Sequence, residues 1–188
     1  MNDIITLYLT DRKEWREWLQ QNFKDKTDIW LVYPKKSSGK ARIRYNDAVE
    51  EALCFGWIDS TVKSLDENHT IQRFTKRRPK STCSQANKER LRWLFNENMI
   101  HNSIEEDIQA IINQEFDFPL DILDEIRKDN ISWDNYQKFS DSYKRIRIAY
   151  IDSARKRPDE FRKRILNFIN KTRENKQIKG FGGIDKHY

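Results

Sequence analysis

The chain has 188 residues, 37% of them hydrophobic and 12% aromatic, and its formal net charge is +6. This composition is enough for a packed core and excludes a disordered chain, while the length fits one domain with a helical extension. The excess of Lys and Arg is concentrated in residues 140–180. Such a basic region indicates either an anionic partner or a solvated helix face.

Cys54 and Cys83 are the only two cysteines. They form no Cys-x-x-Cys motif and have no paired histidines, so the spacing rules for a zinc site are not met. We expect neither a metal nor a cofactor. The first residues lack the basic and apolar segments of a signal peptide, and no apolar run approaches the length of a membrane-spanning helix. We therefore expect a cytoplasmic protein with reduced cysteines and no membrane insertion.

The first predicted strand is IITLYLT. Thr10 is expected to cap the following helix, whose buried face is predicted to contain Trp15, Trp18, Leu19 and Phe23. A second strand, DIWLVYPKK, leads into a mobile basic loop, KKSSGKARIRY. A second helix, capped by Asn46, ends before Gly56, which suits the left-handed conformation that often terminates helices.

Two further strands, WIDSTVKSL and TIQRFTKR, are predicted to form a hairpin around DENH. Pairing Val62 with Phe74 places both residues on a core face, together with Ile58. Trp57 and Asp59 then lie on the other face, and Asp59 lies opposite Arg77. In this register, either Asp59 and Arg77 satisfy each other or the arginines are left for a ligand.

The rest of the chain is predicted to be helical. A helix begins after Ser84, further helices follow from Pro119 onwards, and Pro158 is expected to be the first residue of the last helix. The predicted fold class is α+β, with a small, mostly antiparallel sheet and packed helices followed by a helical C-terminal part. The predicted domains are an α+β domain over 1–116, a helical domain over 117–178 and a flexible tail over 179–188.

Four stretches in order carry a family resemblance: WLVYPKKSSG, AVEEALCFGWIDS, RFTKRRPKSTCSQANKERLRWL and FSDSYKRIRIAYIDSARK. Together they resemble the bacterial YdeI/OmpD-associated, or bacteriocin-protection, family from about residue 12 to about residue 175. The helical part from Pro119 resembles the C-terminal domain of that family. The resemblance implies a link to bacteriocin or antimicrobial-peptide resistance and to an outer-membrane porin. It implies no settled catalytic residues.

The basic stretch that ends the hairpin predicts a site for a small anionic ligand. Guanidinium forks match the oxygens of phosphate and carboxylate, and the start of the next helix adds hydroxyl and amide donors. The predicted ligand-binding residues are Trp57, Asp59, Lys63, Arg73, Arg77, Arg78, Ser81, Ser84 and Asn87.

Two alternative functions stay open. Asp59 is the candidate catalytic residue of a small-molecule enzyme with a pocket lined by Trp and Arg, although acid–base chemistry also requires a second titratable group. The basic helices of residues 140–180 are the candidate surface for nucleic-acid binding, although no recognised nucleic-acid motif occurs. Over both, the sequence favours a non-enzymatic stress or envelope-protection protein that binds an anionic ligand.

Overall fold

The computed structural model describes residues 4–78, 81–179 and 184–187. The chain divides into a sheet unit, Met1–Thr82 with Leu91–Ala110, and a helical unit, Cys83–Arg90 with Ile111–Tyr188. The predicted domains 1–116 and 117–178 stay a prediction, since a division by contacts does not show that either part folds alone. Residues 180–183 and 188 of the predicted tail lie outside the described residues.

The sheet unit contains a mixed four-stranded sheet in the order β1-β2-β4-β3. Its strands are β1 (Thr6–Tyr8), β2 (Asp28–Pro34), β3 (Trp57–Ser64) and β4 (His69–Lys76). Strands β1 and β2 are parallel, and the other two pairings are antiparallel. The predicted small, mostly antiparallel sheet is confirmed.

Four helices belong wholly or partly to this unit: α1 (Arg12–Asn22), α2 (Tyr45–Cys54), α3 (Gln85–Asn96) and α4 (Glu105–Ile112). The predicted cap Thr10 is wrong, because Asp11 Oδ1 accepts the N–H groups of Lys13 and Glu14 at 2.8 and 3.0 Å. The predicted cap Asn46 is also wrong, because α2 begins one residue earlier, at Tyr45. The basic loop contains a short 3-10 helix, Lys36–Ser38.

Aromatic side chains build the core of the sheet unit. Trp15 is fully buried, stacks on Trp18 with 5.2 Å between ring centroids and meets Phe74 of β4 edge-on at 5.5 Å. Its indole N–H donates to the Ala48 carbonyl at 2.9 Å, which connects α1 to α2. One face of the sheet therefore packs against α1. Large aromatic rings suit this position because they bury much apolar area, and the indole N–H of Trp15 still has a hydrogen-bond partner.

The helical unit contains α5 (Leu120–Arg127), α6 (Asn130–Lys138), α7 (Asp141–Asp152), α8 (Pro158–Arg173) and a terminal 3-10 helix, Ile184–His187. Asp129 caps α6 and Ser140 caps α7 through their side-chain oxygens. Pro158 is the first residue of α8, as predicted. The buried core includes Ile122, Ile126, Tyr143, Ile148 and Phe168. The predicted α+β fold with a helical C-terminal part is confirmed.

Candidate functional site

The turn from α2 into β3 is fixed by a glycine. Gly56 has a φ of +72°, the left-handed conformation predicted for it, in which a residue with a Cβ is strained. One residue later, Trp57 is fully buried, and its indole N–H donates to the Phe23 carbonyl at 3.2 Å. Trp57 is therefore placed in the core and not at a solvent-accessible surface.

Asp59 lies on the same face of β3 as Trp57, at the border of the core. It is paired with Phe74 across the hairpin, and a β-bulge separates Asp59 from Val62, which is paired with Gln72. The predicted pairing of Val62 with Phe74, and of Asp59 with Arg77, is wrong. The backbone N–H of Arg77 instead donates to the Gly56 carbonyl at 2.9 Å.

The Asp59 carboxylate is held by neutral donors. The Tyr45 hydroxyl donates to Asp59 Oδ2 at 2.7 Å, and the amide nitrogen of Gln72, a buried side chain, lies 3.5 Å from the same oxygen. Asp59 itself is half-buried. Its acceptor oxygens are thus partly satisfied from two elements, the start of α2 and strand β4.

A buried phenol lies in the same neighbourhood. Tyr33 on β2 is 7% exposed, and its hydroxyl has no hydrogen-bond partner among the described residues. Burial raises the pKa of Tyr33, Tyr45 and Asp59 raise it further, and Arg42, whose guanidinium lies 6.0 Å from the ring centroid, opposes the rise. We call Tyr33, Arg42, Tyr45, Asp59 and Gln72 the Asp59 cluster.

The Asp59 cluster combines one carboxylate acceptor with phenol, amide and guanidinium donors. Tyr33 stays protonated at physiological pH, so its hydroxyl can donate a hydrogen bond to an added acceptor. An unsatisfied buried hydroxyl costs about 1–3 kcal/mol, which an acceptor from a ligand would recover. Such an arrangement can bind a polar group, and the sequence reasoning identified only Asp59 of its members.

Two of the predicted ligand-binding cations lie on the opposite face of the sheet. Arg73 is paired with Trp30 across β2 and β4, and its Nε donates to Asp28 Oδ2 at 2.8 Å. The Lys63 ammonium lies 5.1 Å from the Trp30 ring centroid. Arg73 and Lys63 are therefore brought together around Trp30, separate from Trp57 and Asp59, and both contact groups of the protein.

Arg77, Arg78 and Ser81 form a turn directly after β4. One Arg77 guanidinium nitrogen donates to the Ser81 carbonyl, while its Nε is buried and has no hydrogen-bond partner among the described residues. The Ser81 hydroxyl donates to the Arg78 carbonyl at 2.8 Å, and Arg78 is exposed. These three predicted residues lie close together in the chain, and residues 79–80 between them lie outside the described residues.

Ser84 and Asn87 belong to the helical unit and are placed at the start of α3. Ser84 Oγ accepts the backbone N–H of Asn87 at 3.3 Å, as expected for a capping residue. The Asn87 side chain is buried, and its oxygen accepts from Arg90 at 2.9 Å. Both side chains have structural partners here.

A buried acidic pair on α2 was not identified from the sequence. Glu50 and Glu51 are almost completely buried, yet both are contacted by arginines of α1. Arg12 contacts both carboxylates, and Arg16 donates to Glu51 Oε2 at 2.6 Å. The second arm of the Arg16 guanidinium donates to the Met99 carbonyl at 2.9 Å.

The two arginines keep their charge in this network. Burial by itself lowers the pKa of the Arg12 and Arg16 guanidiniums, but their hydrogen bonds and charge attraction to Glu51 raise both pKa values overall. Buried carboxylates are stable only when paired in this way. The signal in the sequence was two glutamates inside an apolar helix and two arginines four residues apart in another helix.

The basic residues of 140–180, predicted as an alternative nucleic-acid surface, are in large part engaged in ion pairs. Arg145 binds Glu89 through two hydrogen bonds of 2.7 and 2.9 Å. Further salt bridges to carboxylates of the helical unit are made by Lys144, Arg155, Arg164, Lys171, Arg173 and Lys176. Nucleic-acid binding by this surface stays a prediction.

Within residues 4–78, 81–179 and 184–187, no group of three His, Cys, Asp or Glu side chains is placed to hold a metal ion. In the same residues, no helix has the length and apolar character required to cross a membrane. The candidate site is thus composed of polar and charged side chains of the sheet unit, around Asp59 and around Arg77.

Fold and site define the chain as an α+β protein with a polar cluster at the base of a β-hairpin and a helical C-terminal unit. Residues 7–106 match the family described as "Domain of unknown function (DUF8412)", and the chain belongs to this family. Residues 115–175 match the model described as "Bacteriocin-protection, YdeI or OmpD-Associated". Comparison with curated proteins and with solved structures finds no match.

The predicted family resemblance is confirmed for the helical part, where the bacteriocin-protection match covers a third of the chain. The stretch AVEEALCFGWIDS, which also carried the resemblance, lies within the other family's match. At family level, the match of residues 115–175 supports a bacteriocin-protection or envelope-associated role.

Proposed function

We propose that this is a cytoplasmic protective protein, acting in stress or envelope protection, that binds a small anionic ligand at the end of the β3–β4 hairpin. The protective role is supported by the family match of residues 115–175. Anion binding is supported by the Arg77 turn, which consists of Arg77, Arg78 and Ser81.

The observation that carries anion binding is the buried Nε of Arg77. This charged donor has no hydrogen-bond partner among the described residues, whereas one Nη of the same guanidinium donates to the Ser81 carbonyl. Leaving a charged donor unsatisfied is more costly than leaving a neutral one unsatisfied. A carboxylate or phosphate oxygen would satisfy it in the bidentate geometry that guanidinium groups favour.

The neighbouring residues favour an anion over a neutral ligand. Arg78 is exposed beside Arg77 and adds a second positive charge. Arg73 lies within β4 and not in this turn. Two of its guanidinium nitrogens already donate hydrogen bonds to Asp28. We therefore place the recognition of the anion on Arg77 and Arg78, with Lys63 and Arg73 serving the packing around Trp30.

Thermal unfolding with sulfate, phosphate and citrate, at constant ionic strength, tests the proposal. A saturable rise in Tm is expected for the unmodified protein, because a ligand that binds only the folded state stabilises it. Arg77→Gln should lose this rise. Lys13→Gln removes one exposed positive charge from α1 and should keep it. A rise that persists in Arg77→Gln would reflect general exclusion of these salts from the protein surface and would refute the site.

A second candidate function is a small-molecule enzyme that uses Asp59. The half-buried carboxylate beside Tyr45 and the unsatisfied hydroxyl of Tyr33 favour it. A screen of ester, phosphoester and glycoside substrates tests this possibility. An activity found in this screen should be lost in Asp59→Asn, because the asparagine side chain retains a hydrogen-bonding oxygen but cannot act as a base.

A further inference from the structure

The helical unit contains a cavity of about 400 Å³ whose lining includes no residue of the Asp59 cluster or of the Arg77 turn. Its walls come from α7, from α8 and from Ile178 and Lys179 beyond α8. The volume lies within the range of about 300–1,000 Å³ that is typical of small-molecule sites.

The base of the cavity is apolar. Phe168 of α8 and Ile151 of α7 line it, and both side chains belong to the buried core of the helical unit. Ile178, which packs against this core, adds a third apolar contact. A ligand that enters the cavity therefore meets hydrocarbon at its inner end.

The polar part of the cavity is mainly cationic. Arg147, Lys163, Arg164 and Lys179 line it, with Glu160 as the carboxylate among the lining residues. Glu160 is bound by Arg164, whose Nε donates to it at 2.8 Å. The Arg164 guanidinium also lies 3.7 Å from the Tyr150 ring centroid, so this arginine is fixed by two neighbours.

Lys163 and Lys179 differ from Arg164 in their contacts. Both side chains are exposed, and neither ammonium forms a salt bridge with a described residue. Lys163 lies close enough to Glu160 to lower the pKa of that carboxyl, after the larger effect of Arg164. Lys163 and Lys179 thus line the cavity together with the exposed Asn167, and the side chains of all three can donate hydrogen bonds to a bound oxyanion.

We propose that this cavity binds a small organic anion that carries an apolar group, such as an aromatic carboxylate or phosphate monoester. The apolar group would contact Phe168, Ile151 and Ile178, and the oxyanion would be bound by Lys163 and Lys179. This site goes beyond the function proposed above, because it is built from other residues and requires an apolar group on the anion.

Heteronuclear NMR and calorimetry with four probes test the ligand class on the full chain. Benzoate and phenyl phosphate are expected to bind saturably and to shift the amide signals of α7 and α8. Acetate lacks the apolar group and benzyl alcohol lacks the charge, so both should bind at least about tenfold more weakly. Comparing benzoate with phenyl phosphate decides which oxyanion is preferred. Equal binding of benzyl alcohol and benzoate would overturn the proposal.

Charge-matched variants test the residues. Lys163→Gln and Lys179→Gln should each weaken benzoate binding about tenfold, the effect of one charge-assisted hydrogen bond partly open to water. Arg162→Gln removes the same charge from the same helix outside the cavity lining and should leave binding unchanged. Asn167→Trp, at an exposed lining position, should fill the cavity and abolish binding.

Two outcomes would refute this site without touching the Arg77 turn. One is benzoate binding that Lys163→Gln, Lys179→Gln and Asn167→Trp all leave intact. The other is that no aromatic anion binds. Single-stranded DNA that then binds at low salt with a steep salt dependence would assign these cations to nucleic acid. Conversely, Arg77→Gln should bind benzoate normally, so failure of either proposal is distinguishable from failure of the other.

Discussion

The Tyr45 hydroxyl donates a 2.7 Å hydrogen bond to Asp59 Oδ2, and this contact connects the first residue of α2 to β3. A single hydrogen bond contributes about 0.5–1.5 kcal/mol to stability. Because Tyr45 is 43% exposed, we expect a coupling energy near the lower end, about 0.5 kcal/mol, in a Tyr45→Phe/Asp59→Ala double-mutant cycle. Urea denaturation of the four proteins measures it, and additive effects would show that the bond contributes nothing.

The ion pairs between α1 and α2 are expected to be essential for stability. Arg16→Met leaves the buried Glu51 carboxylate with Arg12 as its remaining arginine partner. Removing one partner of a buried pair costs about 3–5 kcal/mol, and the partial exposure of Arg16 places the expected loss at or below about 3 kcal/mol. Urea denaturation measures this change in the free energy of unfolding.

Lys13→Met is the matched control, since it removes a cation from the same helix. The Lys13 ammonium is largely exposed and lies 3.8 Å from a Glu17 carboxylate oxygen, so its replacement should change stability by less than about 0.5 kcal/mol. If Arg16→Met were as mild as Lys13→Met, the ion pair between Arg16 and Glu51 would not contribute to stability.

The two cysteines are expected to differ in reactivity. Burial raises the pKa of the Cys54 thiol to about 12, with Glu51 raising it further and Arg16 and Arg12 opposing. Since the thiolate is the reactive form, iodoacetamide at pH 8 should modify the half-buried Cys83 first and Cys54 only on unfolding. Mass spectrometry with and without urea checks this order, and Cys83→Ser should leave the folded protein unmodified.

The raised pKa of Cys54 makes the stability of the protein depend on pH in alkaline solution. The folded pKa lies above the reference value of 9.0, so the unfolded chain releases this proton first as the pH rises. The contribution of Cys54 to stability is therefore complete below pH 9 and is lost progressively between pH 9 and about 12.

His101 is expected to stay neutral in mildly acidic solution. Its ring lies 4.7 Å from the ring of Phe23 and 5.4 Å from that of Phe55, and burial, followed by the charges of Lys24 and Arg16, lowers its pKa below 6.5. Because the folded pKa is depressed, the stability contribution is present above pH 6.5 and is lost as the pH falls through the folded pKa. A proton NMR titration of the His101 ring checks this, and a midpoint at or above 6.5 would contradict it.

Local rules predicted the positions of the elements well. Gly56 was expected at the helix end because only a residue without a Cβ adopts its +72° φ without strain. Pro158 was expected to start α8 because its missing N–H is not needed in the first turn. Both features depend on one residue and its chain neighbours, so the sequence contains all the information required.

The hairpin register could not be predicted from the alternation of apolar and polar residues along the two strands. The predicted ladder was regular, whereas the real one has a bulge between Asp59 and Val62. Asp59 is paired three residues away from the predicted partner, at Phe74 instead of Arg77, and an odd shift exchanges the two faces of a strand. Trp57 was consequently expected opposite the core face, although it is fully buried. Beyond the bulge, Val62 is paired with Gln72 instead of Phe74, an even shift that keeps it on the predicted face, where it is 61% exposed.

The same limit applies to the candidate site. Tyr33, Tyr45 and Gln72 come from three different elements and meet Asp59 only through tertiary packing. The burial of Glu50 and Glu51 could not be predicted for a similar reason, since a glutamate in a helix is buried only if another element supplies its counter-charge. Arg12 and Arg16 supply it, but no local pattern links the two helices.

Strand β3 is the outer strand of the sheet beside β4, so one of its backbone edges has no neighbouring strand among the described residues. A regular edge of this kind is a template for intermolecular strand addition and fibril growth. The bulge after Asp59 interrupts the regular pairing of this strand. The bulge that made the register unpredictable therefore also leaves an incoming strand without a continuous ladder to join.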